Sequence, residues 1–162
     1  MSEKPILSQE KVDHIIKRIA YQILENNMEE DIALVGVDVG GRILADQIHK
    51  TLASISDKQC TCFTINLDKD HPLEKEIHLD PSGADLTGAT VILCDDVLNS
   101  GRTLAYSLSK ILSSNVRKVE TAVLILRTHG RFPIFANYKG YELSTTIKEH
   151  VEVKPGEGVF LK

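Results

Sequence analysis

The sequence predicts an α/β domain with a mostly parallel central sheet flanked by helices. Short apolar runs, each long enough for one buried strand, alternate along the chain with amphipathic helical patterns or long connections. Strands connected in this way pair in parallel through right-handed crossovers. The length of 162 residues fits one domain, and the 42% of apolar residues can fill its core. Because Trp is absent and aromatic residues make up only 5%, an aliphatic core is expected.

Charge and cysteine usage narrow the class of protein. The formal net charge of -4 gives no general attraction to nucleic acid, although it leaves room for a local basic face. Cys60, Cys62 and Cys94 have no zinc-site spacing with further Cys or His. Their odd number, with an N-terminus unlike a secretory signal, favours the reducing cytoplasm. No apolar run approaches the ~18 residues of a membrane span, so a cytoplasmic protein without membrane association is expected.

The first elements are a helix and two strands. Ser8 suits the N-cap of a helix whose apolar residues recur at helical spacing and which is expected to end at residues 26–27. The apolar run Ile32–Val37 predicts a buried strand, and residues 62–67 predict another.

A glycine pair lies between the strand at Ile32–Val37 and a second amphipathic helix. Residues 38–42 predict a tight loop that contains Gly40 and Gly41. Two interpretations fit it: backbone amides that approach a ligand closely, or a plain strand-to-helix turn. Taken alone, the loop favours the plain turn.

The polar segment at residues 68–88 contains two prolines, two glycines and charges of both signs. Connections of this length in a compact domain are usually functional lids or disordered segments. A catalytic lid and a solvated hairpin are equally compatible with its composition. Its chemically capable side chains are Lys69, Asp70, His71 and Lys75.

The second half of the chain continues the alternation and then breaks it. In order it predicts a buried strand at 91–94, a helix at 104–112, a strand at 119–126, a basic loop at 127–131, an edge strand within 133–143 and a closing hairpin at 151–160. Ligands of parallel sheets lie at the carboxyl ends of the strands. The glycine pair and the acidic residues that follow position 94 are expected at that edge.

Residues 91–103 carry the strongest chemical signal. Asp95 and Asp96 end an apolar strand, and carboxylates accept hydrogen bonds from vicinal hydroxyls. The loop that follows can form a nest of backbone amides at a helix N-terminus, with Ser100 and Thr103 as hydroxyl donors. Together these features describe a ribose 5-phosphate site. A Walker loop and a dinucleotide fingerprint are absent. A metal pair, a response-regulator pocket and acids placed for the helix dipole remain weaker alternatives.

This stretch resembles the phosphoribosyl pyrophosphate signature of type I phosphoribosyltransferases. The signature is an apolar strand, two acids, four loop residues, Gly, any residue and Thr, and residues 91–103 match it throughout. Within that superfamily the chain is most similar to the bifunctional pyrimidine operon attenuators and uracil phosphoribosyltransferases, through residues 18–20, 34–37 and 127–140. The resemblance implies one domain over residues 1–162, with a small hood built from the C-terminal part and the N-terminal helix, and a flexible loop at about 68–88.

The resemblance also assigns roles to residues. It implies catalytic roles for Asp95, Asp96 and Lys69, with the two acids binding the ribose hydroxyls. Implied substrate-binding residues are Val39, Gly40, Gly41 and Arg42 for pyrophosphate, Leu98, Asn99, Ser100, Gly101, Arg102 and Thr103 for the 5-phosphate, and Arg127 and His129 beside the base. Mg²⁺ is the implied cofactor, carried by the diphosphate with Asp95 as the candidate protein ligand.

The implied reaction joins a nucleobase, foremost uracil, to 5-phosphoribosyl 1-diphosphate with release of pyrophosphate. A purine such as hypoxanthine is an alternative base, and a homodimer or larger homo-oligomer is expected. A nucleotide-sensing RNA-binding regulator is a second alternative, which the net charge does not support. A protein that binds the donor without turnover is a third. The chain departs from the family at Asp38 and Val39, where the family has Lys and Arg, and at Leu126, where it has an acid.

Overall fold

The computed structural model describes residues 2–162, which form two sheets and three helices. In chain order the elements are β1 (Lys4–Ser8), α1 (Gln9–Asn26), β2 (Ile32–Val37), α2 (Asp38–Ile55), β3 (Cys60–Asn66), β4 (His78–Asp80), β5 (Thr90–Leu98), α3 (Arg102–Ile111), β6 (Lys118–Arg127), β7 (Tyr138–Leu143), β8 (Val151–Lys154) and β9 (Gly158–Leu161).

The main sheet has six strands in the order β4-β3-β2-β5-β6-β7. All neighbouring strands from β3 to β7 pair in parallel, and only β4 is antiparallel to its neighbour β3. The predicted α/β class with a mostly parallel sheet is therefore confirmed. Within the described residues no helix is long and apolar enough to cross a bilayer.

Aliphatic side chains fill both faces of this sheet. On one face α1 and α2 pack through residues such as Ile19 and Ile48, both fully buried. On the other face α3 packs through Leu104 and Ile111, joined by Leu86 from the segment before β5. The strand β2 is buried along its whole length because both faces are covered.

The helix α1 begins and ends as expected. The Ser8 hydroxyl accepts a hydrogen bond from the Lys11 amide at 3.3 Å, which satisfies one of the free amides of the first turn. At the other end the Asn27 side chain donates to the Ile23 carbonyl at 2.9 Å. The predicted helix from Ser8 to residues 26–27 is confirmed.

A second sheet, β1-β9-β8, lies over the carboxyl end of β5 and is called the hood sheet here. The hairpin of β8 and β9 was expected, whereas β1 was not. Strand β1 pairs antiparallel with β9, and Leu7 joins the same core as Val159 and the first turns of α1. Gly158 permits this pairing, because a Cβ there would lie 2.2 Å from the Leu7 carbonyl oxygen.

Two predicted boundaries differ from the structure: the start of the helix after β2 and the end of the strand that carries the two acids. Residues 38–42 are the first turn of α2 and not a loop, because the chain passes from strand to helix at Asp38, whose φ is 51°. Among the described residues the one cis peptide is Asp80–Pro81, so the bonds of 38–42 are trans. Strand β5 continues through both acids to Leu98, because its pairing with β6 extends to Leu126.

The lid segment, defined as residues 68–88, contains one short strand. Strand β4 pairs antiparallel with the end of β3, with Ile65 opposite Leu79. Leu86 is buried under the sheet, so the segment is anchored at its end as well as at its start. Its structure is thus closer to a short hairpin with a covered end than to a free linker.

Candidate active site

A cavity of about 430 Å³ opens at the carboxyl end of β5, between the main sheet and the hood sheet. Most of the predicted site residues line it: Lys69, Asp95, Asp96, Leu98, Asn99, Ser100, Gly101, Arg102, Thr103 and Arg127. The opposite wall is residues 150–153, which include β8 and were not predicted.

The acid pair lies at the base of this cavity. Asp95 is only 4% exposed and Asp96 is half-buried. An oxygen of Asp95 accepts a hydrogen bond from the Asp96 amide at 2.9 Å, and Asp96 accepts one from the Val97 amide at 2.8 Å. These local bonds fix both carboxylates against the strand. Within residues 2–162 neither carboxylate forms an ion pair with a basic side chain.

Burial raises the pKa of the Asp95 carboxyl well above its usual range, and the neighbouring charge of Asp96 adds to the effect. Lys69 acts in the opposite direction, since its positive charge favours the ionised carboxylate. A buried carboxylate with little compensating charge is a strong acceptor for hydroxyl groups or a cation.

The loop after the acids is held in a fixed shape by its neighbours. The Ser100 carbonyl accepts hydrogen bonds from the amides of Arg131 at 2.8 Å and Phe132 at 3.0 Å. Gly101 adopts a left-handed conformation with φ of 86°, and α3 begins directly after it without a side-chain cap. Residues 98–104 line the cavity, and the Arg102 amide in the first turn of α3 donates to the Ser100 hydroxyl at 3.3 Å. A helix N-terminus at a cavity wall favours an anion.

A second helix N-terminus approaches the acid pair from the other side. The first turn of α2 has no side-chain cap, and a Cβ on Gly40 would lie 2.4 Å from an Asp96 carboxylate oxygen. A Cβ on Gly41 would lie 2.4 Å from the Cys94 carbonyl oxygen. Both glycines therefore serve close packing of α2 against β5. Val39 and Arg42 are exposed and do not line the cavity.

Arg127 at the end of β6 and His129 just after it hold the segment 143–150 in place. Arg127 is 5% exposed, and its guanidinium donates to the Thr145 hydroxyl at 2.6 and 2.9 Å, to the Thr146 carbonyl and to the Glu149 carbonyl. His129 Nε2 lies 2.6 Å from the Thr145 carbonyl oxygen. Both side chains thus fix the segment 143–150, and His129 lines an adjoining cavity of about 360 Å³ beyond Ser100.

Two further features were not predicted. Asp38 lies beside Lys69, with 3.7 Å between the Lys69 ammonium and an Asp38 carboxylate oxygen. Glu152 of β8 lines the cavity and forms an ion pair with Lys162, which follows β9. The sequence offers no signal for either contact. The Asp38 contact depends on how α2 meets the start of the lid segment, and the Glu152 contact depends on how β8 pairs with β9.

Comparison with known proteins agrees with this geometry. The profile of the family described as phosphoribosyl transferase domain matches residues 3–157. Bifunctional protein PyrR of Fusobacterium nucleatum is 35% identical over 158 residues, covering 93% of this chain and 89% of the relative. Bifunctional protein PyrR of Actinobacillus pleuropneumoniae is 30% identical over 163 residues, covering 94% and 89%.

Solved structures share the fold at lower sequence identity. A hypoxanthine phosphoribosyltransferase from Staphylococcus aureus superposes with a TM-score of 0.74 at 18% identity, covering 87% of this chain and 77% of that one. A hypoxanthine-guanine phosphoribosyltransferase from Bacillus anthracis gives 0.74 at 19%, covering 88% and 84%. The resemblance predicted from residues 91–103 is confirmed: the chain belongs to the phosphoribosyltransferase family and is a phosphoribosyltransferase.

Proposed function

We propose that the protein joins uracil to 5-phosphoribosyl 1-diphosphate. In this reaction a base nitrogen bonds to C1 of the ribose, the bond from C1 to the diphosphate breaks, and the proton of the base N–H is released. The observation that carries the proposal is the acid pair beside the loop at 98–103, both on the floor of one cavity under the hood sheet. This pairing suits a ligand with two hydroxyls and a phosphate.

The chemistry needs no covalent nucleophile. The ribose would become cation-like at C1 as the diphosphate departs, so negative charge close to the ring stabilises the transition state. Asp95 and Asp96 supply that charge from fixed positions. Lys69 is the basic side chain that shares the cavity with them from the lid side, and it suits the charge that grows on the leaving diphosphate.

Magnesium is the cofactor that this proposal includes. Within residues 2–162 no group of three or more His, Cys, Asp or Glu side chains could hold a metal by itself. The ion would therefore rest mainly on the oxygens of the diphosphate, with Asp95 or Asp96 as the available protein oxygen ligands. Bound there, it would neutralise diphosphate charge and help the diphosphate to leave.

Uracil is favoured over a purine because the chain shares more sequence identity with relatives named bifunctional protein PyrR than with the purine enzymes of similar fold. Relatives named bifunctional protein PyrR reach 30–35% identity over most of the chain, while the purine enzymes of similar fold share under 20%. The segment at 143–150 lies beside the cavity, and the hydroxyl and carbonyl of Thr145 are engaged by Arg127 and His129. Main-chain groups of this segment are then the candidates for contact with the base.

The test is release of pyrophosphate from the donor with Mg²⁺ and each common base in turn. We expect turnover with uracil and much less with hypoxanthine or guanine. Turnover with hypoxanthine alone would replace uracil by a purine, and no turnover with any base would reject the proposed reaction. The double substitution of Asp95→Asn with Asp96→Asn should weaken donor binding by about 2–5 kcal/mol, since it removes charged acceptors for the ribose hydroxyls.

An RNA-binding regulator receives less support from the contacts. The basic residues that could form an RNA face are Lys17, Arg18, Lys110, Arg117 and Lys118, and three of these five have side-chain partners within the chain. Arg18 donates to the carbonyls of Lys139 and Gly140, Lys110 pairs with Glu76, and Lys118 lies among Asn27, Glu30 and Glu120. A salt-dependent shift of pyrimidine leader RNA, strengthened by a pyrimidine nucleotide, would establish the second activity.

A further inference from the structure

Asp38 makes two contacts with the chain segment that leads into the lid. One carboxylate oxygen accepts a hydrogen bond from the Leu67 amide at 3.3 Å. The other oxygen lies 3.7 Å from the Lys69 ammonium. A single side chain on α2 thus holds both the last residue before the lid segment and the lid's first basic residue.

The backbone of Asp38 is unusual as well. Its φ of 51° lies in the left-handed region, where Asp and Asn are among the few side-chain-bearing residues that occur regularly. This conformation lets α2 follow β2 without a loop and turns the carboxylate toward the end of β3. Asp38 therefore combines an uncommon backbone conformation with a contact to Lys69, which lines the cavity.

Lys69 depends on this contact for its position. Its side chain is 53% exposed, it lines the cavity together with Asp95 and Asp96, and its ion pair within the described residues is the one with Asp38. A free lysine has many rotamers, and only a few of them point the ammonium at the cavity. The Asp38 carboxylate, which is 23% exposed, is the charged partner that favours the rotamers of Lys69 on this wall.

We propose that Asp38 is a positioning residue, which fixes the start of the lid and holds the Lys69 ammonium at the wall of the cavity. Asp38 itself touches no reacting atom. The inference deepens the proposed function and rests on the role of Lys69 beside the diphosphate.

The proposal predicts a split between the two kinetic constants. Asp38→Asn keeps an acceptor for the Leu67 amide and tolerates the left-handed backbone, so it removes mainly the charge that holds Lys69. We expect kcat to fall about two- to five-fold, the range of an exposed ion pair. KM for the donor should change by less than kcat does, because the residues at 95–103 that line the cavity are left in place. General damage to the fold would raise KM instead.

A double-mutant cycle with Lys69→Met decides whether Asp38 acts through Lys69. Asp38→Asn should have no further effect once Lys69→Met is present. Equal effects of Asp38→Asn in both backgrounds, or an unchanged kcat in the single variant, would overturn the proposal. Asp46→Asn is the matched control, because Asp46 is an exposed carboxylate two turns along the same helix and outside the cavity.

Calorimetry of donor binding separates this inference from the proposed function. If the wild-type protein binds the donor but turns over no base, the proposed reaction fails. The cycle is then measured on donor affinity, with the same expectation that the effect of Asp38→Asn requires Lys69. If affinity changes identically with and without Lys69, the positioning role is rejected whatever the base.

Discussion

Asp95 illustrates how a buried carboxyl in the candidate site can weaken the fold that carries it. Its carboxyl is buried, and burial raises its pKa above the value it has in the unfolded chain. Between those two pKa values the folded state binds the extra proton, so the free energy of unfolding falls as the pH rises through this window. Stability is therefore lost above the ordinary carboxyl pKa of about 3.9 and is recovered below it.

Replacing Asp95 by Asn should stabilise the protein at neutral pH. We expect the free energy of unfolding to rise by about 1–3 kcal/mol at pH 7, since a buried charge without full compensation is removed. The gain should disappear near pH 4, where the wild-type carboxyl is protonated as well. Urea unfolding at both pH values measures it. Asp57→Asn, at an exposed position, is the control, and a gain independent of pH would contradict the assignment.

Gly101 tests a different residue-scale effect. A Cβ there would meet Ile134 and the Phe132 carbonyl oxygen at 3.3 Å, in addition to the strain of φ at 86°. Gly88 has φ of 74° with nothing within 4 Å, so Gly88→Ala isolates the backbone strain. We expect about 1–2 kcal/mol of destabilisation from Gly88→Ala, and more from Gly101→Ala.

The same pair of variants should differ in function. Gly101→Ala shifts the loop at 98–103 and is expected to weaken donor binding about tenfold or more, whereas Gly88→Ala leaves donor binding unchanged. Calorimetric titration with the donor measures both. Equal donor affinity in the two variants would show that the loop tolerates a Cβ and that Gly101 matters only for folding.

At the scale of elements, Arg127 at the end of β6 binds the segment 143–150, which is called the hood segment here. Four hydrogen bonds run from its guanidinium to residues 145, 146 and 149. Arg127→Lys keeps the charge but cannot reproduce this fork of donors. We expect a loss of about 1–3 kcal/mol in stability and a higher KM for the base, with donor affinity nearly unchanged.

Steady-state kinetics with the base varied at saturating donor will measure this effect. Arg117→Lys is the control, because Arg117 is exposed and lies at the opposite end of β6. If Arg127→Lys raises the KM of the donor as much as that of the base, the hood segment does not act on the base alone.

Periodicity and spacing predicted the elements with long apolar patterns, and they missed those that depend on distant partners. Strands β2, β5 and β6 and the helices carry their own apolar signal. Strand β1 has only five residues, and just Leu7 is buried, so its pairing with β9 at the far end of the chain leaves no local pattern. The sequence predicts the start of α2 too late, because Asp38 and two glycines are typical of a loop. In the structure these residues are helical, since the glycines allow α2 to pack closely against β5.

The same distinction, between local patterns and contacts with distant partners, applies to the residues of the candidate site. Asp95, Asp96 and the loop at 98–103 come from one continuous stretch, so one motif was enough to predict that they lie together at one cavity. Glu152, Asp38 and the structural use of Arg127 arise where separate elements meet, and no spacing in the sequence encodes such contacts. The cavity as a whole therefore depends on contacts between distant elements, whereas the residues of its floor can be recognised from one stretch of sequence.

At the scale of the whole molecule, the cavity lies between the main sheet and the hood sheet. Its floor is the loop at 98–103 and its opposite wall includes Val151 and Val153 of β8, which pairs with β9 and through it with β1. A ligand that fills the cavity therefore links the sheets. We expect the donor with Mg²⁺ to slow amide hydrogen exchange in β8 and β9 as well as in the phosphate loop.

Hydrogen exchange with and without the donor measures this coupling peptide by peptide. Peptides at residues 56–59, which lie at the opposite end of the main sheet, should exchange at the same rate in both conditions. The variant that carries Asp95→Asn and Asp96→Asn is the matched control, because it keeps both sheets but loses acceptors for the ribose. Protection that stays confined to 98–103 would show that the hood sheet does not respond to the donor. In that case the base alone would have to close the hood, and adding the base to the donor complex should then restore protection in β8.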